Sequence, residues 1–234
     1  MRHLLSAALT AGLVALIAGA GLMLAPGTPL PDHWNAARPL DVSAPVTPLT
    51  RWKLARSDSG PACFAALETA GAEFDRLPDV EDTPECHIRE RVRLTALGGV
   101  AVDPLETRCA VALRLALWTR HGLAPAAEGI LGAGLRRLHH LDSYNCRRIR
   151  TPNGPGARMS SHATAQAVDI TGMTLDDGRV VGLAGDWSNG PEGEFLRAAR
   201  DSACLWFATT LGPDFNQLHA DHFHLQSRGP GLCR

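Results

Sequence analysis

A chain of 234 residues with 45% hydrophobic residues can bury a full core, and once an N-terminal extension is set aside about 170 residues remain, which suits one domain. Its net charge of −1 excludes partners that demand a strongly charged surface, nucleic acid foremost. No internal repeat divides it.

Residues 4 to 25 carry no charge, and as a helix they would run about 33 Å, enough for a hydrocarbon core of about 30 Å. A cleaved signal peptide has an apolar region of only about 7 to 15 residues, so residues 1–25 read first as an uncleaved anchor. The small residues Ala18 to Gly21 still suit a signal peptidase, and both readings stay open. Arg2 and His3 favour an N-terminus inside and the remainder exported. The expected location is the periplasm or another extracytoplasmic space, with residues 4–25 held in the inner membrane.

Six prolines between Pro26 and Leu49 read as an extended tether, and residues 26–59 are assigned to it. Trp34 within it either packs on the domain or anchors at the membrane interface. The remaining residues, 60–234, form the folded domain. All six cysteines lie there, and an even count in an exported chain reads as a disulfide framework. Fifteen pairings are open. The expected set is Cys63 with Cys86, Cys109 with Cys146, and Cys204 with Cys233. Thiolate ligation of zinc is the alternative, and no C-x-x-C pair supports it.

Phe64, Leu67 and Phe74 predict a first helix from Cys63 to about Leu77. Val92, Leu94 and Ala96 alternate with Arg93 and Thr95 as a strand ending at Gly98-Gly99. A helix is then expected with Asp103 as its cap, Pro104 in its first turn, Glu106 completing the box, and Gly122 at its end. Trp118 on it is core or surface. Leu135, Leu138 and Leu141 fit a helix by periodicity, and His139 and His140 read as partly exposed. Arg147 to Ser161 is rich in Gly, Pro, Arg and Ser and reads as a loop, with Arg147, Arg148 and Arg150 as a solvated basic face. A strand from Ala165 to Thr174, a turn at Asp177-Gly178 and a return from Arg179 to Leu183 follow. Pro191 opens a helix through about Thr209, and a last strand runs from Asp221 to Gln226. The order predicts an α+β domain with an antiparallel sheet and helices packed on it.

Two segments concentrate the chemistry. Ser160-Ser161-His162 leads through small residues to Asp169, and His219-Ala220-Asp221-His222-Phe223-His224 follows about fifty residues later. Ligand atoms on one tetrahedral zinc lie within about 3.5 Å of each other, so the seven residues from His162 to Asp169 must turn, because as straight strand they span roughly 23 Å. His222 and His224 share a face of a strand, and Asp221 faces away. His162, Asp169 and one of the paired histidines would leave a fourth zinc position open, the arrangement of catalytic sites. A Ser161/His162 hydrolase is the rival, with neither a G-x-S-x-G elbow nor the separation a nucleophile and base need.

The pattern S-x-H, A-x-A-x-D and H-x-x-H-x-H resembles the LAS metallopeptidases, the group with lysostaphin-type enzymes, D-Ala-D-Ala carboxypeptidases and murein endopeptidases. From about Cys63 to Cys233 the chain most resembles the extensin-like C-terminal domain family. That likeness runs through Ser143-Tyr144-Asn145-Cys146-Arg147, the S-S-H-A…V-D-I segment, Asp186-Trp187, Leu211-Gly212-Pro213 with Asn216, and His222-Phe223-His224-Leu225. It implies a strand over residues 135–146. It also implies zinc ligation by His162, Asp169 and His224, with His222 as an unligated active-site histidine. The carboxypeptidases place Glu three residues before the last ligand, where this chain has Asp221; the spacing His219-x-x-His222-x-His224 matches the murein endopeptidases instead.

The implied activity is zinc-dependent hydrolysis of amide bonds in peptidoglycan peptide stems or cross-links. His222 would take the water proton or stabilise the oxyanion, and His219 would share the task. Asp221 would orient a ligand from outside the coordination sphere, and Ser160 or Arg158 would hold an anionic substrate terminus. Two alternatives stand beside this: a zinc-binding module without catalysis, and a cell-wall-binding structural protein on the same fold.

Overall fold

The computed structural model describes residues 2–25, 27, 28, 30–151 and 153–234. Helix α1, Arg2–Leu24, contains the span Leu5–Met23, long and apolar enough to cross a membrane and unburied by the rest of the chain.

The next stretch is not an extended tether. A 3-10 turn at Asp32–Trp34 and helix α2, Pro48–Arg56, flank residues that dock on the domain. Leu40, Val42 and Leu54 are buried in the core, and the Val42 N–H donates to Thr69 Oγ1 at 2.8 Å. Proline-rich composition describes the backbone; the three apolar side chains set among the prolines decide where it lies. Burying such a side chain is worth about 1.5–3 kcal/mol.

Helix α3, Gly60–Glu68, ends early at Gly71, whose φ of +63° suits glycine. Phe74 therefore sits on strand β1, Ala72–Arg76, and not on the expected first helix. A small hairpin follows, β2 Val80–Thr83 with β3 Cys86–Ile88, then β4 Arg91–Leu97 and β5 Val100–Arg108. The helix expected from Asp103 is strand up to Arg108. Pro104 sits where the β4–β5 register slips, a place that needs no N–H. Asp103 bonds Arg137 and His139 across the sheet and Glu106 bonds Arg91 and Arg93, so neither caps a helix.

Helix α4, Cys109–Trp118, begins only there, and all ten of its residues are buried. It continues through two wide turns, Thr119–Leu123 and Ala127–Leu131, to β6, Leu135–His140. Residues 141–146 leave the strand. Within the expected loop, β7 Arg148–Thr151 pairs with β8 Gly154–Met159. Then come β9 Ala167–Leu175, β10 Val180–Gly182, α5 Leu183–Asp186 and α6 Gly190–Ala203, which stops short of Thr209. Thr209–Leu211 is strand β11, Phe223–Gln226 β12 and Leu232–Cys233 β13.

Among the described residues nine strands make one sheet in the order β1-β4-β5-β6-β9-β12-β11-β13, with β10 also on β9. The β5–β6 and β11–β13 pairs are parallel and the others antiparallel. β9 is the axis, carrying β6 along one edge and β12, then β10, along the other. Trp118 of α4 is core, fully buried, with its Nε1 donating to the Ala199 carbonyl of α6 at 2.9 Å.

Three disulfides staple the fold. Cys204–Cys233 is as expected. Cys63 pairs with Cys109, and Cys86 with Cys146, so the other two expected pairs are exchanged. Nearness in sequence misled: α3 lies on α4, and the β2–β3 hairpin folds over to the loop after β6.

A candidate metal centre at the β9–β12 pair

His162 is delivered by a turn. Ser160 caps the 3-10 turn Ser161–Thr164, its Oγ accepting the His162 backbone N–H at 3.3 Å, and Ala165 leaves the turn with a left-handed φ of 47°. That conformation costs an L-residue roughly 1–2 kcal/mol. The chain between His162 and Asp169 thus doubles back, as a shared site requires.

Strand parity places Asp169. Its neighbours Val168 and Ile170 are fully buried in the core, so Asp169 points to the opposite face. Across the ladder His224 is its register partner, flanked by the pairs Phe223–Ile170 and Leu225–Val168. Phe223 is wedged edge-on against Trp118 and Trp187, centroids 6.4 and 5.9 Å away. This packing holds β12 from behind and so fixes His224 in front.

Three atoms converge. His162 Nε2 is 3.1 Å from His224 Nδ1 and 3.2 Å from Asp169 Oδ1, and His224 Nδ1 is 2.8 Å from the same oxygen. His162 Nδ1 lies 3.1 Å from the Ser143 carbonyl. A carbonyl only accepts, so Nδ1 carries the hydrogen and Nε2 turns its lone pair inward. A neutral His224 has one hydrogen, which can serve only one neighbour. Wherever it sits, His162 Nε2 and Asp169 Oδ1 still face each other as two acceptors. A cation satisfies all three at once, and two imidazoles with one carboxylate are a donor set that zinc accepts. The three residues form a cluster capable of holding a metal ion.

Electrostatics agree with an ionised Asp169. Burial works against its charge, and protons on the facing nitrogens of His162 and His224 would more than offset that and hold the carboxyl well below the usual carboxylate range; with the His162 hydrogen on Nδ1, a cation in the triangle would take their place. His162 is buried, and the other two side chains are 12–13% exposed.

Two further imidazoles line the site. His222 precedes β12 and is not within it, yet its Nε2 stands 3.7 Å from Asp169 Oδ1. Its Nδ1 donates to Asp221 Oδ1 at 2.8 Å. Asp221 therefore orients His222 and not a member of the triangle, contrary to expectation. His219 Nδ1 donates to Asn216 Oδ1 at 2.8 Å, and its ring packs 5.3 Å from His222 and 5.7 Å from His224. Burial, with the neighbouring His224 and His222, pulls the His219 pKa down to about 4.

The two expected anion-binding residues lie at the turn that carries His162 and on β8. Ser160 is 6% exposed, and its Oγ accepts the cap bond while its own O–H stays available to donate. Arg158 is exposed on β8, with no hydrogen bond or ion pair among the described residues. Arg147, expected on a solvated face, is half-buried with its Nε enclosed and unpartnered. Burial and Arg150 act against its charge while Asp169 supports it.

Sequence reasoning gave no role to Ser143, whose carbonyl sets the His162 tautomer, or to Asn216, which sets His219, and considered Ser161 only as a nucleophile, whereas its Oγ lies 3.4 Å from His224 Nε2. The signal was present for Asn216, an Asn that caps the Gln217–His219 turn through the Leu218 N–H at 3.0 Å. A backbone carbonyl leaves no sequence signal. His139 and His140 are partly exposed as expected; both are tied to Asp103, through its carboxylate and its carbonyl, respectively.

Fold and site together define a disulfide-stapled α+β domain with a His-Asp-His cluster on its central strand pair. Residues 61–234 match the profile of the extensin-like protein C-terminus family, and the chain belongs to that family. No curated protein and no solved structure matches it.

Proposed function

We propose that the domain is a zinc-dependent peptidase acting on amide bonds of peptidoglycan peptides. The carrying observation is the triangle of His162 Nε2, Asp169 Oδ1 and His224 Nδ1, all within 3.2 Å of one another. These three residues would hold the ion, which when bound would polarise a scissile carbonyl and acidify water.

The chain's own residues supply the rest. His222, with Nδ1 engaged by Asp221, keeps Nε2 free beside the cluster to take a proton from an attacking water and return it to the leaving amine. His219, neutral at physiological pH, offers a second acceptor whose ring angle Asn216 fixes. Arg147, whose charge Asp169 supports, joins Arg158 as a cation for a substrate carboxylate or developing oxyanion, with the Ser160 hydroxyl as a neutral donor.

The peptidoglycan assignment rests on resemblance to LAS metallopeptidases together with the apolar N-terminal helix and the disulfides. The spare histidines favour the endopeptidase branch over a module that only stores metal, because storage needs no free imidazole. Purified peptidoglycan incubated with the zinc-loaded protein and with His162→Ala, followed by muropeptide analysis, is the test. Loss of cross-linked species with the parent alone supports the reading; unchanged muropeptides with zinc bound overturn it.

A further inference from the structure

The end of the apolar helix is hydrogen-bonded to the folded domain. Asn35 is fully buried, and its Nδ2 donates to the carbonyl of Ala25, one residue past the end of α1, at 3.1 Å. Its Oδ1 accepts the Ala37 N–H at 2.9 Å. The turn that carries Asn35 is held in turn by α2: Lys53 Nζ donates to the Asp32 carbonyl at 2.7 Å, and Thr47 Oγ1 to the His33 carbonyl at 3.1 Å. From Ala25 to α2 each link is a bond.

That chain of bonds fixes height. The polar layer on either side of the hydrocarbon is only about 5–8 Å deep, so a group bonded to the end of a spanning α1 lies within it. Trp34 stands there next to Asn35, 42% exposed. On α2, Trp52 is 44% exposed, with the Arg56 guanidinium 4.8 Å from its ring centre. The nine residues of α2 carry Arg51, Lys53 and Arg56 and no acid, while the nearby Asp32 is matched by Arg38 at 3.2 Å. Exposed tryptophan beside basic side chains is the composition of a membrane interface.

We propose that residues 32–56 form a collar seating the domain on the bilayer surface, with Trp34 and Trp52 among the headgroups and Arg51 and Arg56 on anionic lipid phosphates. This rests on α1 being retained as an anchor. The domain then works close against the membrane, whereas an extended tether over residues 26–59 would let it range roughly 100 Å away.

The test uses the full chain in vesicles of phosphatidylcholine and phosphatidylglycerol carrying bromine at the headgroup end of the acyl chain. Of the other three tryptophans, Trp118 and Trp206 are buried and Trp187 is half-buried against Phe223 of the central sheet, so the quenching that the double variant removes is that of Trp34 and Trp52. Quenching of tryptophan emission in the parent, abolished in Trp34→Phe/Trp52→Phe, supports the collar. Arg51→Glu/Arg56→Glu should lower the quenching to that seen in pure phosphatidylcholine; no change would overturn the phosphate contacts. An unquenched parent that still floats with the vesicles after an alkaline wash overturns the collar and leaves the anchor standing. A parent released by the wash overturns the anchor, and the collar with it.

Discussion

Asp169 and His224 are register partners on β9 and β12, and their side chains meet on the face away from the core, Oδ1 2.8 Å from Nδ1. A ligand that binds there stabilises the fold by linkage, about 2.7 kcal/mol at a hundred times its dissociation constant. For a domain of this size that is roughly 5–10 °C in Tm. Zinc should give this shift in the parent and none in His224→Ala, measured by calorimetry with and without a chelator.

His222→Gln separates chemistry from metal binding. Its Nε2 stands beside the cluster but outside the triangle. The variant should lose about 10²- to 10⁴-fold in turnover, the range for general acid–base groups, and keep its zinc. Steady-state kinetics on a cross-linked muropeptide, with metal analysis of the same sample, checks both halves.

The Cys86–Cys146 disulfide ties the β2–β3 hairpin to the loop holding Ser143, the partner of His162 Nδ1. Cys86→Ser/Cys146→Ser should cost about 2–4 kcal/mol of stability. Freeing the Ser143 carbonyl should also weaken zinc about 10- to 100-fold, as removal of such outer partners does. Denaturant unfolding and competitive chelation measure the two effects separately.

Tyr144 is the single tyrosine of the chain, so its ionisation can be followed by absorbance alone. Burial, its hydrogen bond to Asp82 and that residue's charge push its pKa up to about 12, against about 10 unfolded. The folded value is the higher one. The phenol's contribution to stability is therefore complete below pH 10 and lost as pH rises through 12. Native protein should show no tyrosinate at pH 10.5, and Asp82→Asn should bring the midpoint down.

Much of the site was legible. His162, Asp169 and His224 could be named from spacing and resemblance, whereas the meeting of Asp169 and His224 on one face follows from the β9–β12 register, which no local pattern encodes. The helix expected at Asp103 failed because D-P-x-E reads equally well as a cap or as a bulged strand, and only the Arg91, Arg93 and Arg137 partners decide between them. The exchanged disulfides and the docked segment around Leu40 and Val42 failed for a shared reason. Both depend on contacts between elements far apart in sequence, which local composition does not encode. Ser160 reads as a substrate contact from sequence; its Oγ also accepts a turn N–H, which leaves its own O–H to donate.

The most direct test of the central claim is zinc per chain after exhaustive dialysis of the parent and of His162→Ala, with circular dichroism and disulfide content measured on both. One zinc in the parent and none in a variant that keeps its spectrum and three disulfides is the predicted result. A folded parent that retains no zinc, or a variant that retains as much as the parent, contradicts the account.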